Sequence, residues 1–149
     1  IISCLKSVPK ILRTGSLTAA QVAQLLEIPE DDLSVGDLSK IKVSGNMKIH
    51  YSPKIPVYVF HEVDDMLKYI KKNKKNKLAY MGFHDFVDEK ISYKHLVNSG
   101  EEFAHKLYSF FRKAEDQNCS EIIVQAPDSI GIGAAINDRL FKASSKWRA

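Results

Sequence analysis

The run Val57-Tyr58-Val59-Phe60-His61-Glu62-Val63-Asp64-Asp65-Met66-Leu67-Lys68-Tyr69-Ile70-Lys71-Lys72 decides the fold. Its first four residues are β-branched or aromatic, the types that fit a pleated, buried surface. From Glu62 to about Asn73 the apolar period changes. Val63, Met66, Leu67 and Ile70 fall at i, i+3, i+4 and i+7, one face of a helix. Glu62, Asp64 and Asp65 stand early and Lys71 and Lys72 late, as the helix dipole favours. A strand that passes directly into an amphipathic helix is half of a βαβ unit, and Leu78 to Met81 supplies the next strand.

The same alternation continues toward the C-terminus. Residues 82–93 are ambiguous, and Tyr93 to Val97 reads as a short third strand. Ser99 and Glu102 have capping-box spacing. The helix behind them runs to about Gln117, with Phe103, Leu107, Phe110, Phe111 and Ala114 as its apolar stripe. Glu121 to Gln125 is a strand with an Ile-Ile-Val centre. The loop Ala126 to Ile130 leads to Gly131-Ile132-Gly133 and a last helix to about Lys142. Strands alternating with helices predict an α/β fold: a small Rossmann-like, three-layer domain with a mostly parallel sheet and right-handed crossovers.

Upstream of Pro56 the texture differs. Residues 1–12 read as two short strands or an edge, because Pro9 interrupts a central strand. Thr18 and Gln21 form a capping box for a helix carrying Val22, Leu25 and Leu26, which Pro29 ends. From about Ile28 to Pro56 the periodicity is lost among Ser, Gly, Asn and two Pro. Long structureless stretches are usually lids or linkers. The chain begins Ile-Ile without Met and reads as a fragment of something longer.

Composition narrows the function classes. With 149 residues there is room for one sizeable core. A hydrophobic share of 44% and a charged share of 27% exclude disordered and collagen-like chains. The apolar runs are too short for a membrane helix. Twenty-two basic against eighteen acidic side chains leave +4, which permits an anionic ligand without demanding nucleic acid. Cys4 and Cys119 have no pairing or metal spacing, and read as reduced, buried structural thiols of a cytosolic protein.

Four features offer chemistry. Gly131-Ile132-Gly133 follows a strand and opens a helix, where backbone N–H groups can meet a phosphate or the helix can pack tightly on the sheet. The block Lys71 to Lys77 can attract phosphates, or can be a solvated turn at a helix end. His61, His84, His95 and His105 are scattered and form no metal constellation, and no hydrolase or zinc motif is present. Finally, Gly45 to Pro53 holds Lys48, His50, Tyr51 and Ser52 on a segment that suits neither helix nor core strand. It is either a functional loop or a Pro-rich linker.

Met47-Lys48-Ile49-His50-Tyr51-Ser52-Pro53-Lys54, with Pro56, resembles the linker signature of long-form threonylcarbamoyl-AMP synthases. Lys10-Ile11-Leu12-Arg13-Thr14-Gly15-Ser16-Leu17-Thr18 resembles the closing segment of their catalytic YrdC-like domain. Gly131 to Leu140 resembles the last helix of their C-terminal domain. The resemblance implies three parts: residues 1–27 as a remnant of the YrdC-like domain, 28–56 as an interdomain linker or lid, and 57–149 as the C-terminal α/β domain. It implies a nucleotidyltransferase that converts threonine, bicarbonate and ATP, with magnesium in the full-length enzyme, into threonylcarbamoyl-AMP and pyrophosphate.

The product would pass to the tRNA threonylcarbamoyl transfer machinery in the cytoplasm. No membrane partner and no direct tRNA contact are expected. Arg13 would correspond to a nucleotide phosphate contact, and Lys48, His50 and Tyr51 to the linker covering the substrate cavity. The cavity-lining Lys-Arg and Ser-x-Asn motifs are absent from these residues, so the fragment alone is expected to be inactive, with no catalytic residue of its own. The rival readings are a non-catalytic nucleotide- or effector-binding module and an RNA-binding accessory domain using Lys71 to Lys77.

Overall fold

The structure is a computed structural model that describes residues 1–12, 15, 17–33, 52–75 and 77–147. Near the N-terminus, β1 (Ile2–Ser3) pairs antiparallel with β2 (Lys10–Ile11). Helix α1 (Ala19–Leu25) starts at a complete capping box. Gln21 N–H donates to Thr18 Oγ1 at 3.2 Å, and Thr18 N–H donates to Gln21 Oε1 at 2.9 Å. The helix stops at Leu25, before Pro29. Glu27 turns the chain with φ 54°, and a 3₁₀ turn comes next over Glu30–Asp32. Ile11, Val22, Ala23 and Leu33 make a small core.

From Pro56 onward the alternation yields β3 (Val57–Phe60), α2 (Val63–Lys72), β4 (Leu78–Gly82), β5 (Ile91–Leu96), α3 (Gly100–Asp116), β6 (Glu121–Gln125) and α4 (Ile132–Ser144). The sheet order is β3-β6-β4-β5, and every pairing is parallel. Alternate residues face opposite layers. Val57, Ala79, Met81, Ile122 and Val124 pack against α3 and α4. Leu78, Tyr80 and Ile123 pack against Met66 and Ile70 of α2. Fully burying each large apolar side chain contributes about 1.5–3 kcal/mol, so the Phe103–Phe110 stripe of α3 is a main source of stability. Both phenylalanines are essentially inaccessible.

The ambiguous residues 83–90 form the connection from β4 to β5. A parallel crossover usually carries a helix, but this one is an extended strap. Phe86 lays its ring against Tyr80 at 4.8 Å between centroids. Lys94 Nζ holds the strap by donating to Asp85 Oδ1 at 2.6 Å and to the Phe86 carbonyl at 2.9 Å. The third strand therefore starts at Ile91, earlier than its apolar pattern indicates. Its burial alternates from Ile91 to His95, and a β-bulge opposite Leu78 and Ala79 shifts its register against β4 by one residue.

At the N-terminal end of the sheet, Glu121 is almost fully buried. Its carboxylate accepts from Tyr69 Oη at 3.0 Å, Asn73 Nδ2 at 2.5 Å and Lys75 Nζ at 2.8 Å. Burial and the adjacent carboxylate push the Tyr69 hydroxyl pKa strongly up. The hydrogen bond to Glu121 raises that of Lys75. The basic block is thus partly consumed in holding the α2–β4 turn. Lys90 Nζ also caps α2, donating to the carbonyls of Ile70 and Lys71.

Candidate functional site

In open α/β sheets, ligands bind beyond the carboxyl ends of strands where neighbouring connections leave on opposite faces. Here β3 runs into α2 on one face, and its neighbour β6 runs into α4 on the other. Beyond their carboxyl ends lies a cleft of about 470 Å³. His61 comes after β3, Phe83 after β4, and Gln125 to Asp128 end β6. The starts of α3 (Gly100, Glu101) and α4 (Ile132, Gly133) complete it with Ile130.

Glycines let these elements approach closely. A Cβ on Gly133 would lie 1.9 Å from the Asp128 carbonyl oxygen. One on Gly100 would lie 2.7 Å from Ile132 Cγ2. Gly131 has φ 56°, a conformation that glycine adopts without a Cβ penalty. The loop is tied from outside by Asn137, whose Nδ2 donates to the Pro127 carbonyl at 2.9 Å and to Ser129 Oγ at 2.7 Å. The first N–H groups of α4 are used locally: Gly133 donates to the Ile130 carbonyl and Ala134 to that of Gly131. Of the two readings of Gly131-Ile132-Gly133, the geometry realises tight packing.

Gln125 is the fixed polar group of the cleft. Its Oε1 accepts the Phe83 and His84 backbone N–H groups, each at 2.9 Å, and the Tyr80 hydroxyl at 3.0 Å. Backbone N–H groups can only donate, so the amide orientation is settled. Its Nε2 has no partner among the described residues. The Tyr80 proton is shared with the His84 carbonyl at 2.9 Å, and burial pushes the Tyr80 pKa up to about 12. Nothing in the sequence singles out Gln125 or Phe83. The available signal is position: both sit where a buried strand ends.

The site residues expected from the linker and the segment before it are a different matter. Arg13, Lys48, His50 and Tyr51 lie outside the described residues. The next four residues, 52–55, are described. Ser52 Oγ donates to the Ala143 carbonyl at 2.6 Å, Lys54 N–H donates to Glu115 Oε1 at 2.5 Å, Pro53 is buried, and Ile55 packs on the core under α3 and α4. The end of the proline-rich stretch is therefore anchored on the α/β unit. Cys119 is buried as expected, but Cys4 is exposed because it lies in the connection between β1 and β2. Among the described residues no group of three His, Cys, Asp or Glu could hold a metal ion, and no helix is long and apolar enough to cross a membrane.

Residues 17–145 match the family described as the threonylcarbamoyl-AMP synthase C-terminal domain. A threonylcarbamoyl-AMP synthase of Bacillus subtilis (strain 168) is 23% identical over 97% of this chain. The chain spans 44% of that relative's length. Two solved structures share the fold. One is P. abyssi Sua5 complexed with L-threonine, at a TM-score of 0.71 and 20% identity. The other is a P. abyssi Sua5 variant in which a histidine and the next tyrosine are both alanine, at 0.69 and 20%. Each alignment covers 97% of this chain and 44% of the other.

Proposed function

This chain belongs to the threonylcarbamoyl-AMP synthase C-terminal domain family, and from that premise we propose that it is the C-terminal part of an L-threonylcarbamoyladenylate synthase serving tRNA modification in the cytoplasm. The observation that carries the proposal is the family match over residues 17–145, with a synthase as curated relative. In this reading residues 1–27 hold the end of the YrdC-like catalytic domain, with 17–27 already inside the C-terminal family match, 28–56 are the linker, and 57–149 the α/β domain. Leu5, Leu17 and Leu25 are exposed on the N-terminal unit, which suits a piece of a larger core.

In the reaction, an oxygen of the N-carbamate group of threonine carbamate attacks the α-phosphorus of ATP. The new O–P bond forms as the bond to the β-phosphate bridging oxygen breaks, and pyrophosphate leaves. Arg13 would donate to a phosphate, where charged hydrogen bonds are strongest. Lys48, His50 and Tyr51 would close over the cavity and exclude water from the labile mixed anhydride. The anchoring of Ser52, Pro53 and Ile55 supports this reading, since it fixes one end of the lid segment. A family structure with a paired histidine–tyrosine replacement supports attention to His50 and Tyr51.

The test is synthesis of the adenylate by the full-length protein that contains this chain. ATP, threonine and bicarbonate should yield pyrophosphate and threonylcarbamoyl-AMP, whereas residues 1–149 alone should yield neither. A full-length protein that releases no pyrophosphate would overturn the proposal.

A further inference from the structure

The cleft at the carboxyl ends of β3, β6 and β4 has no part in the chemistry above. Its volume of about 470 Å³ falls within the range of small-molecule sites, roughly 300–1,000 Å³. Its walls carry apolar side chains open to solvent: Ile130 is 83% exposed, and Phe83, which packs against Phe103 at 5.7 Å between ring centroids, is 38% exposed. One polar group is held rigidly among them, the Gln125 carboxamide, with its oxygen occupied by three donors and its Nε2 left over. Two exposed carboxylates, Glu101 and Asp128, stand on the rim, and no Lys or Arg is among the described lining residues. The first amides of α4 are spent within their own turn.

These features exclude a polyphosphate as the main anchor. A charged phosphate chain would meet two carboxylates, with His61 as the one lining side chain able to carry a positive charge. They favour a flat, uncharged body with acceptor atoms and hydroxyl groups. We propose that this cleft binds a nucleoside, with its base between Phe83 and Ile130, a base acceptor on Gln125 Nε2, and ribose hydroxyls on Glu101 and Asp128. An aromatic face gives base stacking without demanding one particular base. Carboxylates are pure acceptors and suit hydroxyl donors.

The probes are adenosine, cytidine and uridine with their triphosphates, titrated at millimolar concentration into the 149-residue chain and monitored by amide chemical shifts. At least one nucleoside should saturate, move the amides of Phe83, Ile130 and Gly133, and bind more tightly than its triphosphate. Gln125→Glu is nearly isosteric. It keeps an acceptor for Phe83, His84 and Tyr80 while deleting the Nε2 donor, so it should fold and bind about tenfold more weakly. Ile130→Asp alters an exposed side chain and should weaken binding without changing the unfolding midpoint. No saturation by any nucleoside overturns the proposal. So does tighter binding of the triphosphate, or unchanged affinity in both variants. None of these readouts depends on adenylate synthesis, so the two proposals fail separately.

Discussion

Replacing Glu121 with Gln tests whether its network supports the sheet. The carboxylate is 4% exposed and takes three donors, two on Oε2 and one on Oε1. Glutamine retains the shape and one acceptor oxygen. The oxygen facing Tyr69 and Asn73 can keep both bonds, but each falls from the charge-assisted class, about 1.5–3 kcal/mol, to the neutral class, about 0.5–1.5 kcal/mol. The difference is about 1 kcal/mol per bond, or about 2 kcal/mol for the pair. Lys75 would meet an NH₂ group instead of an anion and turn to solvent. Urea unfolding monitored by far-UV circular dichroism should show a lower midpoint at unchanged slope. A loss of 2 kcal/mol corresponds to a fall of about 8 °C in Tm for a domain of this size. A change below about 0.5 kcal/mol would refute the reasoning, because it would mean the carboxylate is as well served by water as by its three partners.

Three further outcomes are expected. Gly133→Ala places a Cβ 1.9 Å from the Asp128 carbonyl oxygen, a backbone atom, so the loop must move. Stability should fall by about 1–3 kcal/mol, measured by denaturant midpoint. The Lys94 ammonium holds the Asp85 carboxyl below the usual carboxylate range. This pair therefore contributes stability above the unfolded Asp pKa and loses it as pH falls through the lower folded value. Amide exchange in residues 83–90, corrected for intrinsic rates, should rise as pH drops below about 4, and should do so less in Lys94→Met, where the pair is already broken. In the full-length protein, His50→Ala or Tyr51→Ala should lower adenylate synthesis about 10²–10³-fold, by analogy with loss of one positioned donor. Stability should change by less than about 0.5 kcal/mol, and a wild-type rate in either variant would return the segment to a plain linker.

Period, not composition, made the fold legible. Met66 and Ile70 recur at helical spacing and are buried, and Ile122, Ile123 and Val124 form a continuous apolar run because both faces of β6 are covered. Strand β5 was only partly legible. It is an edge strand with Lys94 and Ser92 exposed, and only Ile91, Tyr93 and Leu96 of its six residues are apolar. The cleft was legible at Gly131 and Gly133: Gly133 allows close packing against the Asp128 carbonyl, and Gly131 takes a positive φ. It was not legible at Gln125, because a glutamine becomes a fixed donor only through backbone groups that tertiary structure brings to it, from 41 and 42 positions away. Strand order was equally hidden, since no local pattern states which strand a helix returns to.

That order has a consequence for how the chain acquires its shape. Strand β6 arrives last, yet it sits between β3 and β4, pairing Val57 with Ile122 and Leu78 with Glu121. Until it emerges from the ribosome, β3 has no strand partner, and β4 and β5 form an isolated pair. The sheet cannot grow outward from an early nucleus. It must be completed by insertion of a keystone across a long stretch of chain, and such distant closures make folding slow relative to local pairings. Stability is therefore withheld from the nascent domain until nearly all of it has been synthesised. A ribosome stalled after α3 would present an open seam between β3 and β4, whose unpaired backbone edges any other extended segment could fill.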